Sequence, residues 1–523
     1  MSTKSTRRLV VAAAALAGAL LLSVPAVLSA TSASTTVALT APAIPGVAAL
    51  PGPLAASSVP AANMGVLKTA PDIGLPGQTF TVSGTGLPAS KPVSLTWLTA
   101  NVTWVVDARP DSVDYLGRKA DKVNVVLATV QTNAAGAFTA TIKAPKDFGG
   151  IHDMYAVVDG KQVAKGGFLI ARTATMTPKR GPVGTMITLT YSGLGSSLYE
   201  GGASLLYDNH YVGALTANWT RGVATVQFRA AGPAGRHVVR VADAISFEYL
   251  NIPQAPIPWA TGNTFTFTVT KDRGLPKQRL DWPAAVAPTL DAKTTLATLG
   301  TTAGSAKATV SSSVGRILSK VDVAAAGLVP NQPVSLVWST VVGNRVNCTG
   351  TCWAFVSVPL GSGTASADGT LKAGVQVPDG LGGWHYIQLL QGGDVKAQVP
   401  YYVLRSVAGI SALKVKAGQP FAIHLKGLGW TQLDNTIAVD YDNSYVGYGC
   451  GFNSNGDVVL NLVASGAPGT HLVDMYPLLY TQQPSYQNTP YGMVPMLTYA
   501  RDVPGLALGY RLPAIRMAIE VVK

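Results

Sequence analysis

Tyr207-Asp208-Asn209-His210-Tyr211-Val212-Gly213 returns almost letter for letter as Tyr441-Asp442-Asn443-Ser444-Tyr445-Val446-Gly447. Going from 207 to 441 is a shift of 234 residues, and the same shift carries Gly184 onto Gly418, Gly193-Leu194-Gly195 onto Gly427-Leu428-Gly429, and His237 onto His471. Self-similarity at a fixed offset marks a duplicated chain. The heptapeptide also has a local meaning. Its Tyr ends a run of alternating apolar residues, and Asp-Asn is turn chemistry that tolerates left-handed backbone, as a tight hairpin requires.

A shorter repeat lies inside the longer one. Gly77-Gln-Thr-Phe80-Thr-Val82-Ser-Gly-Thr-Gly86-Leu87 matches Gly184-Thr-Met-Ile187-Thr-Leu189-Thr-Tyr191-Ser-Gly193-Leu194 and Gly418-Gln-Pro-Phe421-Ala-Ile423-His-Leu425-Lys-Gly427-Leu428. A fourth copy, Val321-Asp-Val323-Ala-Ala325-Ala-Gly327-Leu328, keeps the strand but lacks the first Gly. Period-two alternation predicts one buried face from Phe80/Val82, Ile187/Leu189/Tyr191, Val321/Val323 and Phe421/Ile423/Leu425. A second strand in every copy ends in an aromatic residue, at Trp97, Tyr207, Trp338 and Tyr441, and a later strand opens with Gly-x-His at His152, His237, His385 and His471.

Four copies of this order predict an all-β chain of four tandem β-sandwich domains, arranged as two copies of a two-domain unit. The spans are 66–172, 173–270, 305–404 and 405–523, with a linker at 271–304 whose Pro and charge content favours an extended spacer over a packed element. Residues 31–65 read as a flexible Ala/Ser/Thr/Pro spacer. Residues 1–30, with Lys4, Arg7 and Arg8 ahead of an apolar run and a small-residue exit, have the parts of a secretory signal, a signal anchor being the rival reading. No second apolar stretch is long enough to span a bilayer. The expected location is therefore extracellular or at the cell surface.

Composition agrees with short strands and tight turns: 47% of residues are apolar, only 12% are charged, and Gly (55) and Pro (34) are plentiful. The net charge of +13 loses three with Lys4, Arg7 and Arg8, leaving +10 on the mature chain. Outside a cell such a balance points to anionic or glycan envelope polymers rather than nucleic acid, although it also serves simple solubility. Of three cysteines, Cys348 and Cys352 suit a loop-stapling disulfide, with a metal site as the alternative.

The Gly-spaced first strand, the strand ending in an aromatic residue, the Asn/Asp-Gly turn and the Gly-x-His strand together resemble the immunoglobulin-like repeats of exported bacterial surface proteins, including the IPT/TIG type. The resemblance implies an immunoglobulin-like fold and leaves function open, because such repeats serve as spacers, adhesive modules and enzyme appendages alike. The third copy departs from the pattern by its missing Gly. The second and fourth depart by long late loops.

Candidate chemistry is sparse. The four repeated histidines sit one per domain and read as half-buried groups closing each sandwich. Asp208 and Asp442 read as turn caps, with calcium as the sharper alternative. No nucleophile elbow, His-Glu-x-x-His helix or phosphate loop is present in the sequence, and no cofactor is expected. The late loops are the most unusual stretches: Tyr249 and Trp259 in the second domain, and Tyr480, Tyr486 and Tyr491 in the fourth, are aromatic residues among prolines that suit stacking on sugars or peptides. The competing reading is that these loops cover a sheet edge or domain junction. The expectation is a non-enzymatic binding or structural protein, engaged in adhesion or envelope assembly, with envelope polymers, another surface protein or a second copy as partner. An enzyme or enzyme-accessory protein acting on envelope polysaccharide is the alternative.

Overall fold

The computed structural model describes residues 64–109, 112–197, 200–243, 250, 263–281, 303–343, 353–431, 434–478, 494–498 and 514–523, without the side chains of 103–118 and 353. Every regular element among them is a β-strand. The first block of strands is β1 (Gly65–Ala70), β2 (Ile73–Gly74), β3 (Thr79–Gly84), β4 (Pro92–Arg109), β5 (Ser112–Gln131), β6 (Phe138–Lys143), β7 (Gly150–Val158) and β8 (Lys161–Ile170). The second is β9 (Thr173–Thr177), β10 (Arg180–Gly181), β11 (Met186–Ser192), β12 (Gly202–Tyr207), β13 (His210–Thr216), β14 (Val223–Arg229), β15 (Gly235–Asp243) and β16 (Asn263–Val269). After β17 (Arg279–Asp281) the third comprises β18 (Lys307–Val310), β19 (Val314–Gly315), β20 (Lys320–Ala326), β21 (Pro333–Gly343), β22 (Trp353–Thr364), β23 (Leu371–Gln376), β24 (Gly383–Gln391) and β25 (Asp394–Val403). The fourth is β26 (Ser406–Ile410), β27 (Lys414–Lys416), β28 (Pro420–Lys426), β29 (Thr436–Tyr441), β30 (Ser444–Cys450), β31 (Val458–Val463), β32 (Gly469–Pro477) and β33 (Ala514–Val522).

Each block repeats one topology. In the second, β14-β11-β9 faces β10-β16-β15-β12-β13; in the third, β18-β20-β23 faces β19-β25-β24-β21-β22; in the fourth, β26-β28-β31 faces β17-β33-β32-β29-β30. In the first, β1 pairs with both β3 and β8 and so joins the two layers. One apolar cluster fills each sandwich from both layers. This is an immunoglobulin-like architecture, with a short strand running parallel to the last one in every block.

The alternation explains these cores. Phe80, Val82, Ile187, Leu189, Tyr191, Val321, Val323, Phe421, Ile423 and Leu425 are all buried, while their neighbours along the strand are not. Where the third copy lacks its Gly, Leu318 takes a φ of 61°, the left-handed geometry that Gly77, Gly184 and Gly418 supply in the other blocks.

The aromatic-ended strands share a further feature. The register shifts at Leu95/Thr96, Leu205/Leu206, Leu336/Val337 and Val439/Asp440, one bulge per block at the same place. Beyond it the blocks diverge. In the second and fourth the hairpin closes at once through Asp208-Asn209 and Asp442-Asn443, whose φ values of 48°, 66°, 50° and 62° are those of a two-residue primed turn. In the first, β4 and β5 continue as strands of 18 and 20 residues, a hairpin roughly 60 Å long at about 3.4 Å per residue.

The linker is in part a packed element, contrary to the spacer expectation. Arg279–Asp281 pairs antiparallel with Ala514–Arg516, Leu280 packs on the fourth core and Leu275 on the second. The apolar side chains at 275 and 280 and an available edge on β33 outweigh the Pro and charge that suggested a spacer. Residues 282–302 lie outside the described residues.

Candidate functional site

The repeated histidines are structural. Each stacks on its own block's aromatic residue, with ring centroids 4.3 Å apart for Trp97–His152, 5.4 Å for Tyr207–His237, 4.7 Å for Trp338–His385 and 5.6 Å for Tyr441–His471. In every case Nε2 meets the carbonyl oxygen four residues earlier, at Phe148, Pro233, Leu381 and Ala467. The other nitrogen records hairpin length. In the long-hairpin blocks Nδ1 meets the backbone oxygens of Leu98 and Ser339, whereas in the short-hairpin blocks it meets the carboxylates of Asp208 (2.6 Å) and Asp442 (2.5 Å). Those carboxylates also accept the backbone N–H of Val238 and Leu472. The turn aspartates are thus engaged as caps.

Consecutive blocks meet at a joint that is itself duplicated. Gly149 N–H donates to Leu194 O and Gly382 N–H to Leu428 O, while Arg172 and Arg405 donate to the carbonyls of Glu200 and Asp434. A Cβ on Gly149 would lie 1.7 Å from Gly193 O, and one on Gly382 would lie 1.8 Å from Gly427 O. Glycine is required there by close approach.

The second and fourth blocks also pack on each other. Equivalent residues touch: the rings of Tyr211 and Tyr445 lie 6.5 Å apart, and His210 Nδ1 lies 3.4 Å from Ser444 Oγ. Leu472 and Ala518 of the fourth block join the second block's core cluster. Around this contact sit charges that sequence reading missed. Arg229 lies against Asp474, its Nε 3.3 Å from Oδ2, and both are buried. Arg516 donates to Gln227 O and pairs with Asp281; burial, with the nearby Arg229 and Arg279, draws its pKa down to about 9. Asp440 is fully buried beside Asp474 on the neighbouring strand, and neither of its oxygens has a hydrogen-bond partner among the described residues. Burial first, and then the Asp474 charge, push its carboxyl well above the ordinary range. The available signal was the repeat itself, since the shift of 234 sets Asp440 against Leu206 and Asp474 against Arg240.

The two blocks differ most at their hairpin edge. On β13, Ala214 N–H donates to Pro495 O, Leu497 N–H donates to Ala214 O, and Thr216 N–H donates to Thr498 Oγ1, so residues 494–498 of the fourth block's late loop seal the edge. That portion of the loop therefore does cover a sheet edge. On β30, the matching strand, no strand pairs on the outer side among the described residues. A Cβ on Gly213 would meet Pro495 O at 2.7 Å, whereas one on the matching Gly447 would meet nothing within 4 Å. Val212 and Ala214 are 0% exposed, while their counterparts Val446 and Tyr448 are 52% and 44% exposed. Between β30 and β31 runs a groove of about 670 Å³ lined by Val446, Tyr448, Val458 and Leu460 and reaching the core residue Val439. This open edge is the candidate site. The sequence-derived candidates Tyr249, Trp259, Tyr480, Tyr486 and Tyr491, and the pair Cys348 and Cys352, lie outside the described residues. Cys450 is exposed at the end of β30.

No family model and no curated protein matches the chain. Among solved structures it aligns with the FdeC adhesin of Escherichia coli at 13% identity and TM-score 0.16, covering 67% of this chain and 98% of that one. A Corynebacterium diphtheriae protein described as membrane anchored aligns at 12% and 0.18, covering 88% and 92%. Alpha-2-macroglobulin of Salmonella aligns at 9% and 0.17, covering 86% of this chain and 30% of that one, so this chain spans about a third of the protein it matches there. These superpositions are too loose to bear on function, and the assignment that stands is the fold: an all-β chain of immunoglobulin-like sandwiches.

Proposed function

We propose that the chain is an exported binding protein of the cell surface, acting in adhesion or envelope assembly, and that its fourth block makes the contact by accepting an extended polypeptide along β30. The observation that carries this reading is the unequal treatment of equivalent edges, with β13 sealed by residues 494–498 and β30 left with exposed Val446 and Tyr448 over a groove. An edge strand offers a row of backbone donors and acceptors, and an adjoining groove selects side chains, which together make strand addition the recognition mode that fits. The leader-like residues 1–30 support export. The net charge of +10 on the mature chain supports residence among anionic envelope polymers.

The test is retention of the labelled mature chain on washed intact cells and on isolated envelope, for the wild type and for a Val446→Lys/Tyr448→Lys double variant. Retention is expected to fall roughly tenfold or more in the variant, equivalent to about 1.4 kcal/mol. Equal retention would remove the β30 edge from the function.

A further inference from the structure

The same edge supports a narrower statement that rests on the reading just given. We propose that the polypeptide accepted by β30 is β30 of a second copy of this chain, the two strands pairing antiparallel about a two-fold axis to join two sheets into one.

Four observations lead there. First, the chain protects the corresponding edge strand in the second and third blocks: β13 is covered by residues 494–498 and β22 carries Pro359, while on β5 the charges lie only beyond the stretch paired with Pro92–Trp97. Charge, proline and coverage are the means by which natural sheets prevent edge pairing. Ser444-Tyr-Val-Gly-Tyr-Gly-Cys450 has no charge and no proline, and no covering strand among the described residues.

Second, the strand is complementary to itself. Antiparallel pairing centred on Gly447 sets Val446 of one copy opposite Tyr448 of the other, a β-branched residue against an aromatic one, and places no like charges face to face. Both residues are exposed in the single chain and would be covered together.

Third, a closed pair needs one open surface where a head-to-tail chain needs two. Arg229 and Gln227 of the second block already contact Asp474, Met517 and Arg516 on the outer face of the fourth block's larger sheet, so that face is covered from within the same chain. An isologous contact needs only one open surface, and β30 supplies it.

Fourth, this hairpin already makes an isologous kind of contact. Tyr211 against Tyr445 and His210 against Ser444 are equivalent residues meeting across the interface of the two blocks. The proposed pairing uses the same strand, centred two residues beyond that contact.

The experiment is sedimentation velocity on the full mature chain from about 1 to 100 μM, a range that reports micromolar self-association, for wild type, Val446→Lys, Tyr448→Lys and the control Val126→Lys, a still more exposed residue on β5. The wild type and the control are expected to reach a dimer, and each β30 lysine to raise the dissociation constant at least tenfold. Hydrogen exchange of the wild type alone provides a measurement that needs no variant to fold: amides of residues 444–450 should gain protection as concentration rises, and those of β13 should not. A wild type that stays monomeric throughout, or a dimer untouched by the β30 lysines with no concentration-dependent protection there, overturns the proposal. A monomeric wild type whose envelope retention still depends on Val446 and Tyr448 overturns the second copy while leaving the binding site in place. Loss of both behaviours' dependence on β30 overturns both.

Discussion

The second and fourth blocks carry the same heptapeptide, the same bulge and the same capped histidine, yet they present opposite outer surfaces. In the second, Leu206 and Arg240 occupy the outer face of the central strands and the β13 edge is sealed. In the fourth, those positions hold Asp440 and Asp474, buried against the second block, and the β30 edge has no outer partner strand among the described residues. Inward-facing positions are held by the need to fill a sandwich. Outward-facing positions are constrained only by what they touch, so a duplicated pair is free to assign one block to internal packing and the other to an external edge.

The two blocks differ most in energy at Arg229, whose counterpart by the shift of 234 is Val463, 57% exposed. Removing one partner of a buried ion pair leaves an uncompensated charge and costs about 3–5 kcal/mol. Arg229→Met is therefore expected to lower stability by about that amount in denaturant unfolding, and Val463→Met to stay within roughly 0.5 kcal/mol. Similar small effects for both would mean that the two blocks are not held by this pair.

Asp440 provides the next test. A carboxyl whose folded pKa is raised keeps its proton while the unfolded chain loses it, so its effect is absent below about pH 4 and costs stability as pH rises towards the folded value. Asp440→Leu, which installs the second block's residue, is expected to gain about 1–3 kcal/mol at pH 7, the scale for an unsatisfied buried polar group. The gain should fade near pH 4. Asp474, also raised by burial but opposed by Arg229, remains in the variant, so part of the alkaline loss should persist. A gain independent of pH would show that packing alone, and not the carboxyl, separates Asp440 from Leu206.

These outer positions also mark the limit of what could be read in the sequence. Strands, cores, aromatic strand ends and tight turns were legible because each follows from periodicity or local backbone chemistry: Phe80/Val82, the Tyr at 207 and 441, and Asp-Asn at left-handed φ need only their neighbours along the chain. The role of Asp208 as the acceptor for His237 needed a contact across 29 residues, and only the turn half of it was visible. Arg229 and Asp474 lie 245 residues apart, and nothing local distinguishes them from solvated surface charges. The packed head of the linker was illegible for the same reason, since a three-residue strand at Arg279–Asp281 has no period of its own and exists because β33 offers an edge. The edge at β30 was hidden by its own repeat: Val446 and Val212 are the same letter in the same motif, yet Val212 joins a filled core beside an edge sealed by residues 494–498 and Val446 lines a groove.

The smallest effect tests what the two blocks share. Burial alone pushes His471 down, but the hydrogen bond and charge of Asp442 outweigh it and hold its pKa above the usual histidine value. A histidine raised in this way contributes stability that is fully present below its unfolded pKa of about 6.5 and is lost as pH rises through the folded one. Asp442→Asn keeps an oxygen for the Leu472 N–H and removes the charge, so the expected loss is about 1 kcal/mol at pH 5 and close to zero above about pH 8. His385, at the same place in the third block, provides the contrast: burial, only partly opposed by its carbonyl hydrogen bonds, takes it down to about 4, so its contribution is present above about pH 6.5 and is lost as pH falls. The opposite signs follow from hairpin length, because the two-residue turn after Tyr441 brings a carboxylate to the ring and the longer hairpin of the third block brings a backbone oxygen. An Asp442→Asn loss that grew with pH, or that did not depend on pH, would separate the turn aspartate from the histidine and leave the heptapeptide with a purely backbone role.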